Sequence, residues 1–300
     1  MGRAKILALA GATALLSTAT FAALSTATLA ADLPPPLPPP VYRAPVVVET
    51  GGWYLRGDIG VGMQRFKSFD FTQTNAASGA VWPASWRIDL IDIKDTFFIG
   101  GGIGYQWSNW LRFDFTAEHR ADVKFKAVGS YAGAADFCPL GRCFDVYDGD
   151  HSAVVVLANI YFDLGTWWCL TPFVGFGAGG AHHKTTAFTD FGFIAGGTSA
   201  FGLANEDSTK WTFAWAAHAG LAYNVTNNFK VEFAYRYLNM GNVTTAEILC
   251  GASGCGTGSG PRAFYTLTGF ESHDLKIGMR WLLQPEPPPP AYPPPIMRKG

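Results

Sequence analysis

The chain has 300 residues, of which 48% are hydrophobic and 15% aromatic but only 15% charged. A soluble domain carries about 25% charge, so this surface lacks the groups that keep a large globule in water. With 22 basic against 23 acidic side chains the net charge is -1, which excludes the cationic surplus of a nucleic-acid binder, and 10 Trp, 11 Tyr and 23 Phe exclude disorder over most of the chain.

Residues 1–30 form a signal peptide: Arg3 and Lys5 precede an uncharged, Ala-rich apolar run from Ile6 to Leu29, and small residues at Ala30 and Ala31 offer a cleavage site. An N-terminal membrane anchor is the other reading of this segment. No later apolar stretch is long enough to span a membrane as a helix; Ala153–Ile160 falls far below the roughly 18 to 20 residues required. Proline then marks the boundaries. Of 19 prolines, only Pro83, Pro139, Pro172 and Pro261 lie between residues 46 and 284, so residues 31–50 and 284–300 are extended polyproline-type tails around one body, 51–283.

The body alternates. Leu111, Phe113, Phe115 and Ala117 share one face, and Arg112, Asp114, Thr116, Glu118 and Arg120 the other; period two means a strand with two unlike faces. Eight such runs follow one another: 53–66, 94–107, 110–125, 151–163, 171–184, 211–223, 229–240 and 273–283. A soluble sandwich also alternates, but runs of ten or more residues match the ~9 to 11 that a tilted strand needs to cross a bilayer. Ser108-Asn109, 164–170 and 224–228 are short links, and the other four run to about 24 to 33 residues, the alternation of tight turns and long external loops of an outer-membrane barrel. Trp53, Trp107, Trp110, Trp167, Trp168 and Trp281 sit at the strand ends beside the short links, where interfacial rings collect. The fold expected is all-β: an eight-stranded antiparallel up-and-down transmembrane barrel with long extracellular loops, both termini in the periplasm.

In this register Arg56, Arg112, Arg120, Arg236, Lys276 and Arg280 point inward with Asp58, Asp114, Glu118, Glu232 and Asp274. Paired in so narrow a bore, they imply a plugged scaffold or at most a narrow, low-conductance pore. Glycines at 100, 102, 104, 175, 177 and 179 leave room for long neighbours. His218 falls on the same face and is expected to be a hydrogen-bonded bore residue.

No catalytic constellation stands out. Asp150-His151-Ser152 suggests a hydrolase, but neighbours on a strand face opposite ways, so His151 and Ser152 cannot form a dyad there. Gly100-Gly101-Gly102 precedes no helix and is no phosphate loop. No cofactor is expected. Cys138 with Cys143 and Cys250 with Cys255 each share a long loop in an oxidising compartment, and two intra-loop disulfides are the simplest of three pairings. Cys169 is left as a buried or interfacial thiol of a short turn.

The body resembles the small outer-membrane immunogenic proteins, eight-stranded porin-family barrels related in architecture to the OmpA transmembrane domain. The likeness is carried by Trp53-Tyr54-Leu55-Arg56-Gly57-Asp58-Ile59-Gly60, by Asp163-Leu164-Gly165-Thr166-Trp167 with Thr171-Pro172-Phe173-Val174-Gly175-Phe176-Gly177, and by the closing strand, and it covers residues 51 to 283. It implies that Lys276, Gly278, Trp281 and Leu283 form the signal read by the barrel-assembly machinery, although Leu283 replaces the usual terminal aromatic and residues 284–300 follow it. It further implies a surface-exposed, immunogenic protein of the outer membrane that contributes to envelope integrity, in contact with outer-membrane lipid and lipopolysaccharide. Its Pro-rich tails are expected to reach the cell wall. Hemin binding in some members offers an alternative through His151, His182, His183 and His273, placed at the external strand ends.

Overall fold

The computed structural model describes residues 51–73, 85–132, 141–193, 200–204, 206–250 and 263–283. They form fourteen strands: β1 (Gly52–Arg65), β2 (Ser68–Gln73), β3 (Arg87–Ile93), β4 (Thr96–Gln106), β5 (Leu111–Tyr131), β6 (Cys143–Asp163), β7 (Leu170–Phe193), β8 (Ala200–Ala204), β9 (Ser208–Asn224), β10 (Phe229–Asn239), β11 (Val243–Thr244), β12 (Ile248–Cys250), β13 (Ala263–Thr268) and β14 (Glu271–Leu282). Eight of them close a ring, each antiparallel to its neighbours, in the order β1-β4-β5-β6-β7-β9-β10-β14 and back to β1. The ring is sealed by β1 against β14, with Arg56 opposite Arg280 and Asp58 opposite Gly278. Closure leaves no strand edge in the membrane, where an unpaired backbone group is costly.

Outward faces explain the membrane. Leu55, Ile59, Val61, Phe113, Phe115, Val174, Phe176, Phe233, Leu275, Ile277 and Met279 are all exposed, a continuous apolar belt that water does not tolerate. Trp53, Trp107, Trp110, Trp167 and Trp281 ring its lower edge, and Trp168 in the 164–169 turn is 96% exposed. Phe97, Trp211 and Phe213 lie toward the upper edge. We call the end with the short turns, Gly51 and Leu283 the turn end, and the other the far end.

The far end departs from the expectation of long loops. β5 and β6 each run 21 residues and β7 runs 24, well past the roughly ten that cross the bilayer, and five of the six remaining strands continue the sheet in the order β3-β5-β6-β7-β8-β12-β13-β2. β2 and β3 do not pair with each other; a cleft of about 460 Å³ lined by Phe69, Trp86 and Ile88 lies between them. The sequence places the ends of β5 and β7 near Phe125 and Lys184. Register shifts between Arg120 and Val123 on β5, and opposite Asp148 to Asp150 on β7 where Ala187 adopts φ +50°, add residues to one strand. Each bulge turns the following residues over, so that on β5 the buried positions pass from Arg112, Asp114, Glu118 and Arg120 to Val123, Phe125 and Ala127.

The bore therefore has two zones. The membrane zone is charged. Above it Phe69, Phe125, Tyr147, Phe188, Tyr265 and Phe270 form an aromatic core, with Tyr147 and Tyr265 centroids 4.8 Å apart and Phe69 and Tyr265 5.1 Å apart.

Candidate functional site: the charged bore

Alternation along β1, β5, β10 and β14 delivers the inward charges, and the barrel's narrowness forces them into contact. Arg56 on β1 holds Asp58 through two hydrogen bonds of 2.8 and 2.9 Å, reaches Asp114 on β5 at 2.6 Å, and lies 3.4 Å from Glu232 on β10. Lys276 lies 3.4 Å from the Asp58 carboxylate. One layer farther from the turn end, Arg120 donates to Asp274 at 2.9 Å and to Ser272 at 2.7 Å, and contacts Glu118 at 3.1 Å. Arg236 completes the layer against Glu118 and Asp274. The Phe98 ring lies 5.0 Å from both the Arg120 and Arg236 guanidinium carbons. All eleven inward charges named from the sequence are buried.

Sequence reading missed a twelfth. Asp163, the last residue of β6, is buried and accepts from Arg112 Nε at 3.1 Å. With it, six cations (Arg56, Arg112, Arg120, Arg236, Lys276, Arg280) face six anions (Asp58, Asp114, Glu118, Asp163, Glu232, Asp274). Asn159, Tyr161 and Tyr54 were missed as well: Asn159 donates to Asp114 at 2.8 Å, Tyr54 donates to Asp114 at 3.1 Å, and Arg56 donates to the Tyr161 hydroxyl at 3.2 Å. For Asn159, Tyr161 and Asp163 the signal was parity along β6, where they share the inward face, masked by the apolar run Val154–Leu157 before them; Tyr54 shares the inward face of β1 with Arg56.

The glycines have a steric task. A Cβ on Gly104 would lie 2.2 Å from the Tyr54 ring, one on Gly175 2.3 Å from Tyr161, and one on Gly62 2.1 Å from Arg120. The long polar side chains fill the space that these residues leave.

His218 is buried on the inward face, but both of its ring nitrogens lack a hydrogen-bond partner among the described residues, contrary to expectation. The four histidines considered for hemin do not form one site. His151 and His183 are buried in the bore, His151 Nε2 lying 3.0 Å from His183 Nδ1, while His183 Nε2 lies 3.0 Å from the Met240 carbonyl oxygen. His182 packs on Trp211, and His273 meets the Tyr235 hydroxyl at 2.7 Å, both on the outer face. Strand parity separates the pairs: His182 and His183 are neighbours and must diverge. Among the described residues no group of three or more His, Cys, Asp or Glu side chains is placed to hold a metal ion.

Cys143 is disulfide-bonded; Cys138, Cys255 and the Cys250 side chain, and with them the expected pairings, lie outside the described residues. Cys169 is free and exposed rather than buried, because it forms the tip of a two-residue hairpin in which Trp167 and Leu170 bond each other in both directions at 2.8 and 2.9 Å. Lys276, Gly278 and Trp281 fall within β14, the strand that closes the ring, and Leu283 donates its N–H to Trp53 O at 2.8 Å just after it.

Comparison with known proteins gives this architecture a family. The family model described as outer membrane protein beta-barrel domain matches residues 13–254. An uncharacterized protein of Brucella abortus (strain 2308) is 30% identical over 258 residues, 81% of this chain and 88% of the relative. A candidate adhesin of Rickettsia prowazekii (strain Madrid E) is 29% identical over 231 residues, covering 76% and 86% respectively. Among solved structures, Neisserial surface protein A is 14% identical, covers 78% of this chain and 100% of its own, and has a TM-score of 0.41. The closed ring of eight strands, the lipid-facing belt and the family match lead to one conclusion: the chain belongs to the outer-membrane β-barrel proteins.

Proposed function

We propose that this protein is a non-catalytic, surface-displayed structural component of the outer membrane whose bore is closed to solutes. Its turn end and both chain termini face the periplasm, and the extended far end stands outside the cell. The observation that carries the reading is the content of the bore. Twelve buried charges neutralise one another through the membrane zone, and aromatic rings from β2, β5, β6, β7 and β13 fill the zone above. A barrel of eight strands has an interior just wide enough for its own side chains. The lipid-facing belt contacts outer-membrane lipid and lipopolysaccharide, β14 with Lys276, Gly278, Trp281 and Leu283 is read by the barrel-assembly machinery, and residues 31–50 and 284–300 reach toward the cell wall. Planar-bilayer recording of the refolded protein tests closure: the expected result is no resolved conductance, and stable nanosiemens steps would overturn it. Cys169 tests orientation. An impermeant maleimide should label it only after the outer membrane is opened; labelling on intact cells would invert the topology.

A second reading, adhesion by the far end, is favoured by its outward charge rungs. Lys124 pairs with Asp150 at 3.1 Å and Lys126 with Asp148 at 3.0 Å, all four above the apolar belt. The Rickettsia relative's name points the same way. Replacing Lys124 and Lys126 with Gln should lower attachment of expressing bacteria to host cells, and unchanged attachment would remove this reading.

A further inference from the structure

Near the turn end, two arginines of the bore are short of partners. Arg112 on β5 and Arg280 on β14 are 0% and 1% exposed. Their flat faces are occupied: the Arg112 guanidinium carbon lies 4.3 Å from the Tyr161 ring centre and 4.7 Å from that of Phe173, and that of Arg280 5.4 Å from Tyr54. Only the in-plane N–H edges remain for hydrogen bonds. Arg112 Nε uses Asp163, but Nη1 and Nη2 of Arg112 and Nε, Nη1 and Nη2 of Arg280 have no hydrogen-bonded acceptor among the described residues. Glu232 Oε1 lies 3.2 Å from both Arg112 Nη1 and Arg280 Nε without hydrogen-bond alignment, and Asp163 Oδ2 lies 4.0 Å from Arg280 Nη1. Buried guanidinium donors left in this state are rare in proteins.

The local charge is also unbalanced. Lys230 on β10 sits directly opposite Arg280 on β14 and is partly buried on the same inward face, which places its side chain beside the guanidinium. Arg112, Arg280 and Lys230 thus contribute three positive charges against Asp163 and Glu232. Glu232 is further shared with Arg56 at 3.4 Å. One small monovalent anion would restore neutrality and accept the orphaned N–H groups, whereas a phosphate dianion would overshoot the charge.

We propose that Arg112, Arg280 and Lys230 form a site for a small monovalent inorganic anion of the halide class, at the turn end of the bore. Lys230 gives the anion its way in, since it is the least buried of the three and stands one residue from the start of β10. The site depends on these unpartnered donors and not on whether the bore conducts.

The test uses the full mature chain refolded in detergent, crystallised with sodium bromide in place of chloride, with bromide located by anomalous scattering. A bromide peak within hydrogen-bonding distance of both the Arg112 and Arg280 guanidinium groups is expected. Water density there, with bromide confined to the outer surface as an adventitious ion only, would overturn the proposal. In solution, chloride titrated against gluconate at fixed ionic strength should raise the unfolding temperature with saturation. Lys230→Gln, a change at the rim of the bore, should raise the half-saturating chloride concentration at least fivefold; an unchanged midpoint, or no chloride effect in the parent protein, would also overturn it.

Discussion

Arg236 on β10 and Glu118 on β5 meet across the bore through two hydrogen bonds of 2.7 Å, joining strands that are not neighbours in the ring. Fork-shaped pairing of this kind fixes both position and orientation. Both groups are out of water, so the pair's worth depends on which half is lost. Removing one member leaves the other charge buried and uncompensated, which costs about 3–5 kcal/mol, whereas replacing both by apolar groups of similar volume is often neutral. We predict that Glu118→Met or Arg236→Met lowers unfolding stability in urea by that amount in lipid vesicles. The double variant should recover much of the loss, because Arg120 and Asp274 remain to satisfy each other.

The inward glycines lead to a second prediction. Gly175 has the Tyr161 ring 2.3 Å from the position of a Cβ, whereas Gly57 has nothing nearer than a carbonyl oxygen at 4.0 Å. Tyr161 cannot withdraw, since its ring stacks on Arg112 and its hydroxyl accepts from Arg56. Overpacking of a filled interior costs about 1–3 kcal/mol, so Gly175→Ala should destabilise by that much while Gly57→Ala stays within about 0.5 kcal/mol of the parent. Equal effects of the two substitutions in the same urea titration would contradict the filled bore.

What the sequence disclosed, and what it withheld, follows from where the two faces differ. Along Leu111–Glu118 every outward residue is apolar or small and every inward one polar, so the face and its charges could be read directly. Beyond Arg120 the bulge on β5 turns the strand over and the inward residues become Phe125 and Ala127, while Lys124 and Lys126 point outward. The contrast inverts within a few residues, and period two carries the strand only to Phe125, short of its end at Tyr131. The same happens at Ala187 on β7. Asp163 was lost for another reason: Val154, Val155 and Val156 precede it on β6, and three apolar residues in succession carry no sign of which face is which. The His151–His183 contact was out of reach because it depends on the register of β6 against β7, in which His183 faces Ala153, a pairing that no local pattern encodes.

The far end should respond to pH. Asp145 on β6 and Asp190 on β7 lie beyond the lipid-facing belt, next to the Tyr147 and Tyr265 rings, and Asp190 accepts a 2.7 Å hydrogen bond from the Tyr265 hydroxyl. Burial, with the neighbouring Asp190 charge adding to it, pushes the Asp145 carboxyl up to about 7, and burial pushes Asp190 up to about 6. Among the described residues no cation pairs with either. Both pKa values are raised on folding, so the folded far end binds protons more tightly than the opened chain. Stability is therefore fully present below the ordinary carboxylate pKa near 4 and is lost as pH rises to about 7, by an amount on the order of 2–4 kcal/mol for the coupled pair. Protease nicking of residues in the upper halves of β6 and β7 should be faster at pH 8 than at pH 5 once corrected for the protease's own pH dependence. Asp145→Asn with Asp190→Asn should abolish the difference; a difference that persists in the double variant would assign it to other groups.

The hairpin between β6 and β7 carries strain that a single substitution should relieve. Trp168 and Cys169 both adopt positive φ, +49° and +71°, as a two-residue hairpin turn requires, yet neither is the Gly or Asn that takes this conformation readily. For ordinary side chains the left-handed region costs roughly 1–2 kcal/mol. Trp168 compensates, because its ring projects fully into the interfacial girdle. Cys169 has no such return, being exposed and free. Cys169→Gly should therefore stabilise the folded barrel by about 0.5–1 kcal/mol, even after the extra freedom that glycine gives the unfolded chain. Trp168→Gly should not, since it removes the same strain along with the interfacial anchor. Urea titration of both variants in lipid vesicles separates these outcomes, and equal stabilisation by the two would show that Trp168 contributes nothing at the interface.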